Sequence, residues 1–537
     1  MKTQAIKKKM TTILLVLILI IATHALINYI WLQKDNYPLW FDHGQYFQRS
    51  VELYYATQGD AESFQRAVLG LGASYQPYLH RALLPLVSMP FYYIFGLSGD
   101  IAVMTCLIFL SLAVFATYAI ASRLFDRITG LLAAFILSVS PGFFIFSRRY
   151  SPEFAVIGIT TITIYFLLSS DYFKNRLYSI LFGLGFGLCM ITKESAFAFI
   201  PAVFIYVLYK AGSLHRSREE SSQRKRFFIN LLFSAAAAGA VIIPLYWMYR
   251  EVVFSRVSGV AFSTEVKQIY NMQEPYNPAG LTYYANQFFQ YYFGRLFSLL
   301  FIVGAFFCLK QRCNQRGIIF WWLIGSYIIL SSTVTRVFEY SLPLLVPLSI
   351  IAAYGINQLF KTKIKRALLF IFIIFWGSGQ LLLTSFPIKK NLPEWFSYKS
   401  IILAENFRDY HPDAGDWRLD EIVDYIASNK QQPDRVRYVH VGANLLAFSP
   451  VVLEYVCVEK REKFDFYGYN APLESILACD FVVVKSGQDQ GLFYSSQEAG
   501  EVAAQLISSG DFYMLPRQFS LPDGSKAVIY KKMGASD

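Results

Sequence analysis

Apolar segments recur through the first 386 residues, separated by short charged linkers. They fall at 11–33, 79–97, 100–122, 128–147, 153–170, 177–192, 195–210, 227–249, 295–310, 316–334, 341–360 and 366–386. Most approach the roughly 20 residues that a helix needs to cross the hydrocarbon core. Beyond 387 the pattern changes. WRLDEIVDYIASN has the spacing of an amphipathic helix, VRYVHVGA and CDFVVVKSG read as strands, and EVAAQLISSG reads as a helix. FYMLPRQFSLPDGSKAVIYKK reads as a hairpin that turns at Asp523-Gly524. The expected fold class is a polytopic α-helical membrane protein of about eleven spans with a C-terminal extracytoplasmic α/β domain. The expected domains are a membrane module over 1–386, with 34–99 as its first external loop, and a tail domain over 387–537.

The segment 79–97 decides the topology. If it crosses the bilayer, the basic linkers at 123–127, 173–176, 210–226, 310–316 and 361–366 all face outward. If it lies along the outer surface, all of them face the cytoplasm, as the positive-inside rule requires. His80, Arg81, Pro85 and Pro90 also suit an interfacial segment better than a span. Lys7-Lys8-Lys9 then marks a cytoplasmic N-terminus. The apolar run after it is too long for a signal-peptide core, so it is expected to be an uncleaved first span. The expected location is the inner (plasma) membrane, multi-pass, with the tail outside.

Composition sharpens this picture in one respect. The net charge of +12 hides a split. Residues 388–537 carry roughly 16 basic and 21 acidic side chains, which leaves the membrane part at roughly +17. That excess belongs to cytoplasmic loops, and no nucleic-acid partner is expected. The six cysteines show no CxxC or Cys/His metal spacing. Cys457 and Cys479 share the tail. They are two buried thiols or, if they lie on neighbouring strands, a disulfide.

Under this topology the external edges collect ionisable groups. Asp42, His43 and Tyr46 come from the first loop, and His80 and Arg81 open the interfacial segment. Arg148, Arg149 and Glu153 follow the third span, Lys193-Glu194 follow the fifth, and Arg336 and Glu339 follow the ninth. Such groups are expensive at membrane depth and tend to be functional or paired. Carboxylates beside several cations suit transfer from a phosphate leaving group. One acid takes the acceptor proton while the cations hold the phosphate. Plainer roles exist for each. Asp42 suits a helix N-cap, Glu153 after Ser151-Pro152 suits a first-turn acid, Arg148 and Arg149 suit interface anchors, and Lys193 and Glu194 suit each other. The glycines of GLGFGL at 183–188 suit close helix packing rather than a phosphate loop. The aromatic stretch 271–294 suits either a substrate groove or an interfacial belt.

In order and spacing these segments resemble the GT-C superfamily of polytopic glycosyltransferases. The nearest likeness is to bacterial relatives of the protein O-mannosyltransferases and the aminoarabinose–lipid A transferases. The resemblance rests on FDHGQYF, HRALLPLVSMPFYYIFG, SRRYSPE, MITKES, RVFEYSLPLLVP and the closing LPDGSKAVIY. It implies inverting transfer of a sugar from a polyprenyl-phosphate donor to a hydroxyl of a glycan, lipid or protein acceptor at the outer face. Asp42 would be the general base and Glu153 a second catalytic acid. His43, Tyr46, His80, Arg81, Arg149, Lys193 and Arg336 would bind substrate. No cofactor is certain, and a divalent metal stays open. The chain departs from the family pattern at Asp42-His43, where many relatives have Asp-Glu, and at His80-Arg81-Ala82, where they have His-Pro-Pro or His-Lys-Pro. These departures bear on substrate identity and metal dependence, less on reaction class.

Two other classes compete. A transporter or lipid flippase would place ions near the midplane and show inverted repeats. Here the charges collect at one face and no repeat is evident. A binding protein that merely anchors its tail would not need so many spans.

Overall fold

The computed structural model describes residues 2–40, 42–59, 82–216, 221–248, 277–310, 316–333, 336–360, 362–387, 411–430, 437–468, 476–486 and 496–533. Over the described residues, each apolar segment from the sequence is helical for most of its length. Among the described residues, seven helices are long and apolar enough to cross a membrane: 8–32, 99–124, 152–169, 194–212, 224–244, 338–359 and 363–385. Leu83–Phe95, with Pro90 inside it, is a shorter apolar helix.

The chain forms two compact units. The first comprises Met1–Trp31, Tyr78–Leu84 and Met104–His411. Its centre is the helix Leu345–Leu359, which is buried on all sides from Leu345 to Asn357. A helix apolar all round belongs in the middle of a bundle. Small residues set how closely its neighbours approach. A Cβ added at Gly304 or Gly355 would collide with backbone of the facing helix, Ile351 in one case and Gly304 in the other. The glycines of 183–188 act the same way. Gly183 and Gly187 let Arg176–Thr192 lie against Ser221–Met248, at Ser234 and Val241, while Gly185 faces Thr163. They are packing residues, as small-residue helix contacts in lipid require.

The second unit comprises Leu32–Pro77, Pro85–Val103 and Pro412–Asp537. Its sheet runs β2-β1-β3-β5-β4, with β1 Arg437–Val441, β2 Phe464–Tyr467, β3 Phe481–Lys485, β4 Phe512–Ser520 and β5 Lys526–Lys532. β1 pairs in parallel with β2 and β3, and β5 pairs antiparallel with β3 and β4. The hairpin turns where expected. Gly524 takes φ +82°, a backbone shape that glycine adopts freely, and Asp523 accepts from the Ser525 amide. The expected helices appear at Leu419–Ser428 and Ser496–Ser508.

Of the two alternatives for Cys457 and Cys479, the condition for a bridge is not met, because LEYVCVE is not a strand. Pro450–Glu459 is a helix begun by Ser449-Pro450, and Cys457 is buried on it. Cys479 sits in the turn before β3. Both are buried thiols, not a disulfide, and burial pushes each up to about 12. The apolar run conceals helical spacing because the helix is covered on most of its faces. Periodicity alone cannot separate such a helix from a buried strand.

Within this unit the first loop is bound to the tail. The Asn36 amide donates to the Asp413 carbonyl at 2.6 Å, and the Asp413 amide donates to Asp35 Oδ1 at 2.8 Å. The helix Asp42–Ala56 lies against Pro450–Glu459. Phe47 meets Tyr455 edge-on at 5.7 Å, the Tyr55 hydroxyl donates to the Glu459 carbonyl at 2.8 Å, and Arg461 stacks over Tyr55 at 4.1 Å. A Cβ at Gly44 would stand 2.8 Å from the Leu39 carbonyl and 3.0 Å from Tyr455, so only glycine fits this close approach.

Candidate active site

In the first unit one short stretch, Arg336 to Tyr340, contacts Arg149 and Lys193, and through Lys193 connects to Glu153. The chain turns here into a 3₁₀ helix, Phe338–Leu344, with Pro343 inside it. Arg336 lies against Gly280, close enough that any Cβ at 280 would strike the guanidinium. It is 2% exposed, and its Nε and Nη2 have no hydrogen-bond partner among the described residues. Phe338 stacks face to face on Tyr292 at 3.4 Å and meets Phe288 and Phe146 at 5.2 and 6.1 Å. Glu339 accepts from Arg149 Nη1 at 3.4 Å, and Arg149 stacks over Phe146 at 4.7 Å. Tyr340 presents its ring to the Lys193 ammonium at 4.7 Å.

Lys193 in turn pairs with Glu153 Oε1. The two side chains are 4% and 3% exposed. Glu153 Oε2 is buried with no hydrogen-bond partner among the described residues. Local sequence fixes both ends. Ser151 caps the helix Pro152–Ser169 by accepting from the Phe154 amide, which sets Glu153 in the first turn. Lys193 is the extended residue that ends Arg176–Thr192. A buried ion pair is poor evidence for stability, because desolvation offsets most of the attraction. Arg148 does not snorkel. It is buried, donating to Asn28 Oδ1 at 3.0 Å and to Ser385 Oγ at 2.5 Å, and so ties three helices together.

In the second unit Asp42 opens its helix and is exposed. The Tyr46 hydroxyl stands 3.5 Å from Asp42 Oδ2, one helical turn on. His43 is buried and stands edge-on to Trp40 at 5.0 Å. His80 and Arg81 lie outside the described residues. So does the part of the aromatic stretch before 277; the rest is the helix Pro278–Gln287 and one wide turn, Phe288–Tyr292. Among the described residues no three His, Cys, Asp or Glu side chains gather as metal ligands.

Sequence reasoning did not single out Tyr340 and Phe338, or a carboxylate pair in the second unit. Gln48 Nε2 donates to both Glu52 Oε1 and Glu454 Oε1, each at 3.2 Å. Glu454 is 5% exposed. Burial, with Glu52 and Asp465 nearby, pushes its carboxyl up to about 7. An acid in the middle of the apolar run VVLEYVCV was the available signal, since such a group must find a partner or a proton.

Residues 83–247 match the family model described as dolichyl-phosphate-mannose-protein mannosyltransferase. In sequence the chain is similar to an uncharacterized protein of Aquifex aeolicus (strain VF5), 26% identical over 266 residues. The match covers 48% of this chain and 49% of that protein, so the chain spans about half the length of the curated relative it matches. In structure it is similar to ArnT from Cupriavidus metallidurans bound to undecaprenyl phosphate. The TM-score is 0.61 at 12% identity, covering 95% of this chain and 97% of that one. It is also similar to the archaeal oligosaccharyltransferase AglB from Archaeoglobus fulgidus, in complex with an inhibitory peptide and a dolichol-phosphate. That match has TM-score 0.50 at 11% identity and covers 95% and 74%. A third likeness is to the arabinofuranosyltransferase AftD from Mycobacteria, with TM-score 0.52 at 10% identity, covering 97% and 40%. The shared property is the GT-C fold.

Proposed function

We propose that this chain is a membrane glycosyltransferase that moves a sugar from a polyprenyl-phosphate donor to an acceptor hydroxyl at the outer face, with inversion. Residues 1–386 form the catalytic membrane module and 387–537 an extracytoplasmic domain. Asp42 is the general base. Its exposed carboxylate suits proton removal from an incoming hydroxyl, and Tyr46 steadies it. As the C–O bond to phosphate breaks, negative charge grows on the leaving phosphate, and cations that are already in place stabilise it.

The observation that carries this reading is Arg336. Its buried guanidinium offers two donors that no described residue takes, and Glu339 and Tyr340, three and four residues further on, contact Arg149 and Lys193. A buried charge needs a partner, and the guanidinium fork matches phosphate oxygens. Glu153 and Glu339 hold Lys193 and Arg149 in position. Relatives of the same fold support a lipid phosphate as that partner, because ArnT and AglB have been solved with one.

The test is transfer of radiolabelled sugar in membranes supplied with a panel of polyprenyl-phosphate sugars. Transfer from at least one donor, lost in Asp42→Asn, supports the reading. Donor lipid that crosses the bilayer with its sugar intact, equally in wild type and Asp42→Asn, would instead indicate a flippase.

A further inference from the structure

The end of the first unit that the basic linkers place in the cytoplasm carries a second feature. A cavity of about 620 Å³ is lined by Asp126, Arg127, Asn357, Phe360 and Arg366. An apolar groove of about 560 Å³ begins at Ile128, which lines both spaces. The groove runs between three helices, along Leu19 and Ile20, Leu132 and Phe135, and Phe370 and Ile374. Thr23, His24, Ser138 and Ser378 are its polar lining residues. The hydroxyls of Thr23 and Ser138 donate to the carbonyls of Leu19 and Phe135 on their own helices, so those two present mostly carbon.

The charge in the cavity is one-sided. Asp126 is its one acidic lining residue, and that carboxylate is fully engaged. Oδ1 accepts from the Ile128 and Thr129 amides at 2.9 and 3.0 Å, and Oδ2 from Thr129 Oγ1 and Asn357 Nδ2 at 2.9 and 3.0 Å. Arg366 donates to Asn357 Oδ1 at 3.3 Å, which holds its guanidinium at the cavity. Arg127 is exposed and lines it too, and Lys363 and Lys365 are exposed in the first turn of the helix that carries Arg366. The cluster is a cationic cup, braced from behind by Asp126 and Asn357.

Length decides what the groove holds. From Ile128 to Val139 a helix rises roughly 16 Å, which is half of a hydrocarbon core of about 30 Å. The groove therefore spans one leaflet, the leaflet whose headgroups meet the cup. We infer that this face binds an anionic glycerophospholipid of the cytoplasmic leaflet, its phosphate between Arg127 and Arg366 and one acyl chain in the groove from Ile128 past Phe135. The reading follows from a basic pocket between helices at the cytoplasmic side, where anionic headgroups are held. It does not depend on the sugar-transfer chemistry.

The experiment uses the full chain, stripped of lipid in detergent and supplied with phosphatidylglycerol or phosphatidylcholine of identical acyl chains. Native mass spectrometry and thermal unfolding are the readouts. One phosphatidylglycerol is expected to be retained and to raise the melting temperature, while phosphatidylcholine does neither. Arg127→Gln, together with Arg366→Gln, is expected to weaken retention about 30-fold. Arg366 also braces Asn357, so two single variants keep the test clean. Arg127→Gln leaves the lipid-free melting temperature unchanged but lowers retention. Ile374→Trp fills the lipid-facing groove and also lowers it. Equal binding of the two lipids overturns the headgroup assignment. Preference for undecaprenyl phosphate over phosphatidylglycerol overturns the choice of lipid, and a dimer sealed through this face without lipid overturns the site.

Discussion

Two carboxylates carry the proposed chemistry, and their surroundings could hardly differ more. Glu153 is buried and tied to Lys193, itself buried beneath the Tyr340 ring. Asp42 is exposed at the first turn of its helix, with only the Tyr46 hydroxyl near it at 3.5 Å among the contacts described. A buried carboxylate paired through one oxygen with an ammonium is fixed in place and shut away from an incoming hydroxyl. An exposed one is open to an incoming hydroxyl. The contrast fits the proposed division of labour, in which Asp42 takes the proton and Glu153 holds Lys193 in place.

The largest effect expected from this contrast is on turnover. Asp42→Asn keeps the shape of the side chain and removes its basicity. Transfer should fall by roughly 10²- to 10⁴-fold, while donor binding and melting temperature stay near wild type. Sugar-transfer rates at saturating donor check it. Near wild-type turnover removes Asp42 from the role of base.

The second effect falls on stability and separates Glu153 from Asp42. Lys193→Met strands a buried carboxylate, which should cost about 3–5 kcal/mol. Adding Glu153→Gln to it should restore most of that stability but not the transfer rate. Thermal unfolding in detergent reads the first part and the transfer assay the second. If Lys193→Met melts like wild type, Glu153 does not depend on Lys193. If the double variant recovers activity as well, the pair is structural only.

The contrast also shows what the sequence could disclose. The helices, the switch to an α/β tail and the Asp523-Gly524 hairpin follow from local periodicity and turn chemistry, which neighbouring residues alone determine. The partners of Glu153 and Arg149 do not. Lys193 is 40 residues away and Glu339 is 190, and nothing local encodes the approach. Lys193-Glu194 looks like a pair of neighbours, yet Lys193 turns to Glu153 because the chain is extended at 193, with φ −168°. The helix Pro450–Glu459 was unreadable for a different reason. It is covered on most sides, so no polar stripe marks its period.

A third, smaller effect concerns the phosphate. Arg336→Lys keeps the charge and loses the planar fork. The donor KM should rise about tenfold, with a smaller fall in kcat. Arg149→Ala should act in the same direction but less, because Arg149 is about a quarter exposed and already shares Glu339. Steady-state kinetics over donor concentration checks both. Unchanged donor KM in both variants places the phosphate elsewhere.

The most local effect tests what holds the helix of Asp42. Gln48 on that helix bridges Glu52 and Glu454, and burial pushes the Glu454 carboxyl up to about 7. An unfolded glutamate titrates near 4.3. The folded state therefore binds this proton more tightly. The stability it contributes is complete below about pH 4 and is lost as pH rises through about 7. Above that, a buried carboxylate sits near Glu52, and Gln48 is its one donor among the described residues. Glu454→Gln should remove this liability. It should stabilise the contact between Asp42–Ala56 and Pro450–Glu459 by on the order of 1–3 kcal/mol at pH 8, with little change at pH 4. Amide hydrogen exchange over 450–459, corrected for intrinsic rates, reads the difference. Equal protection gains at both pH values would mean that the proton on Glu454 does not control this contact. A gain confined to high pH would show that Asp42, the proposed base, rides on a helix whose seat loosens as Glu454 ionises.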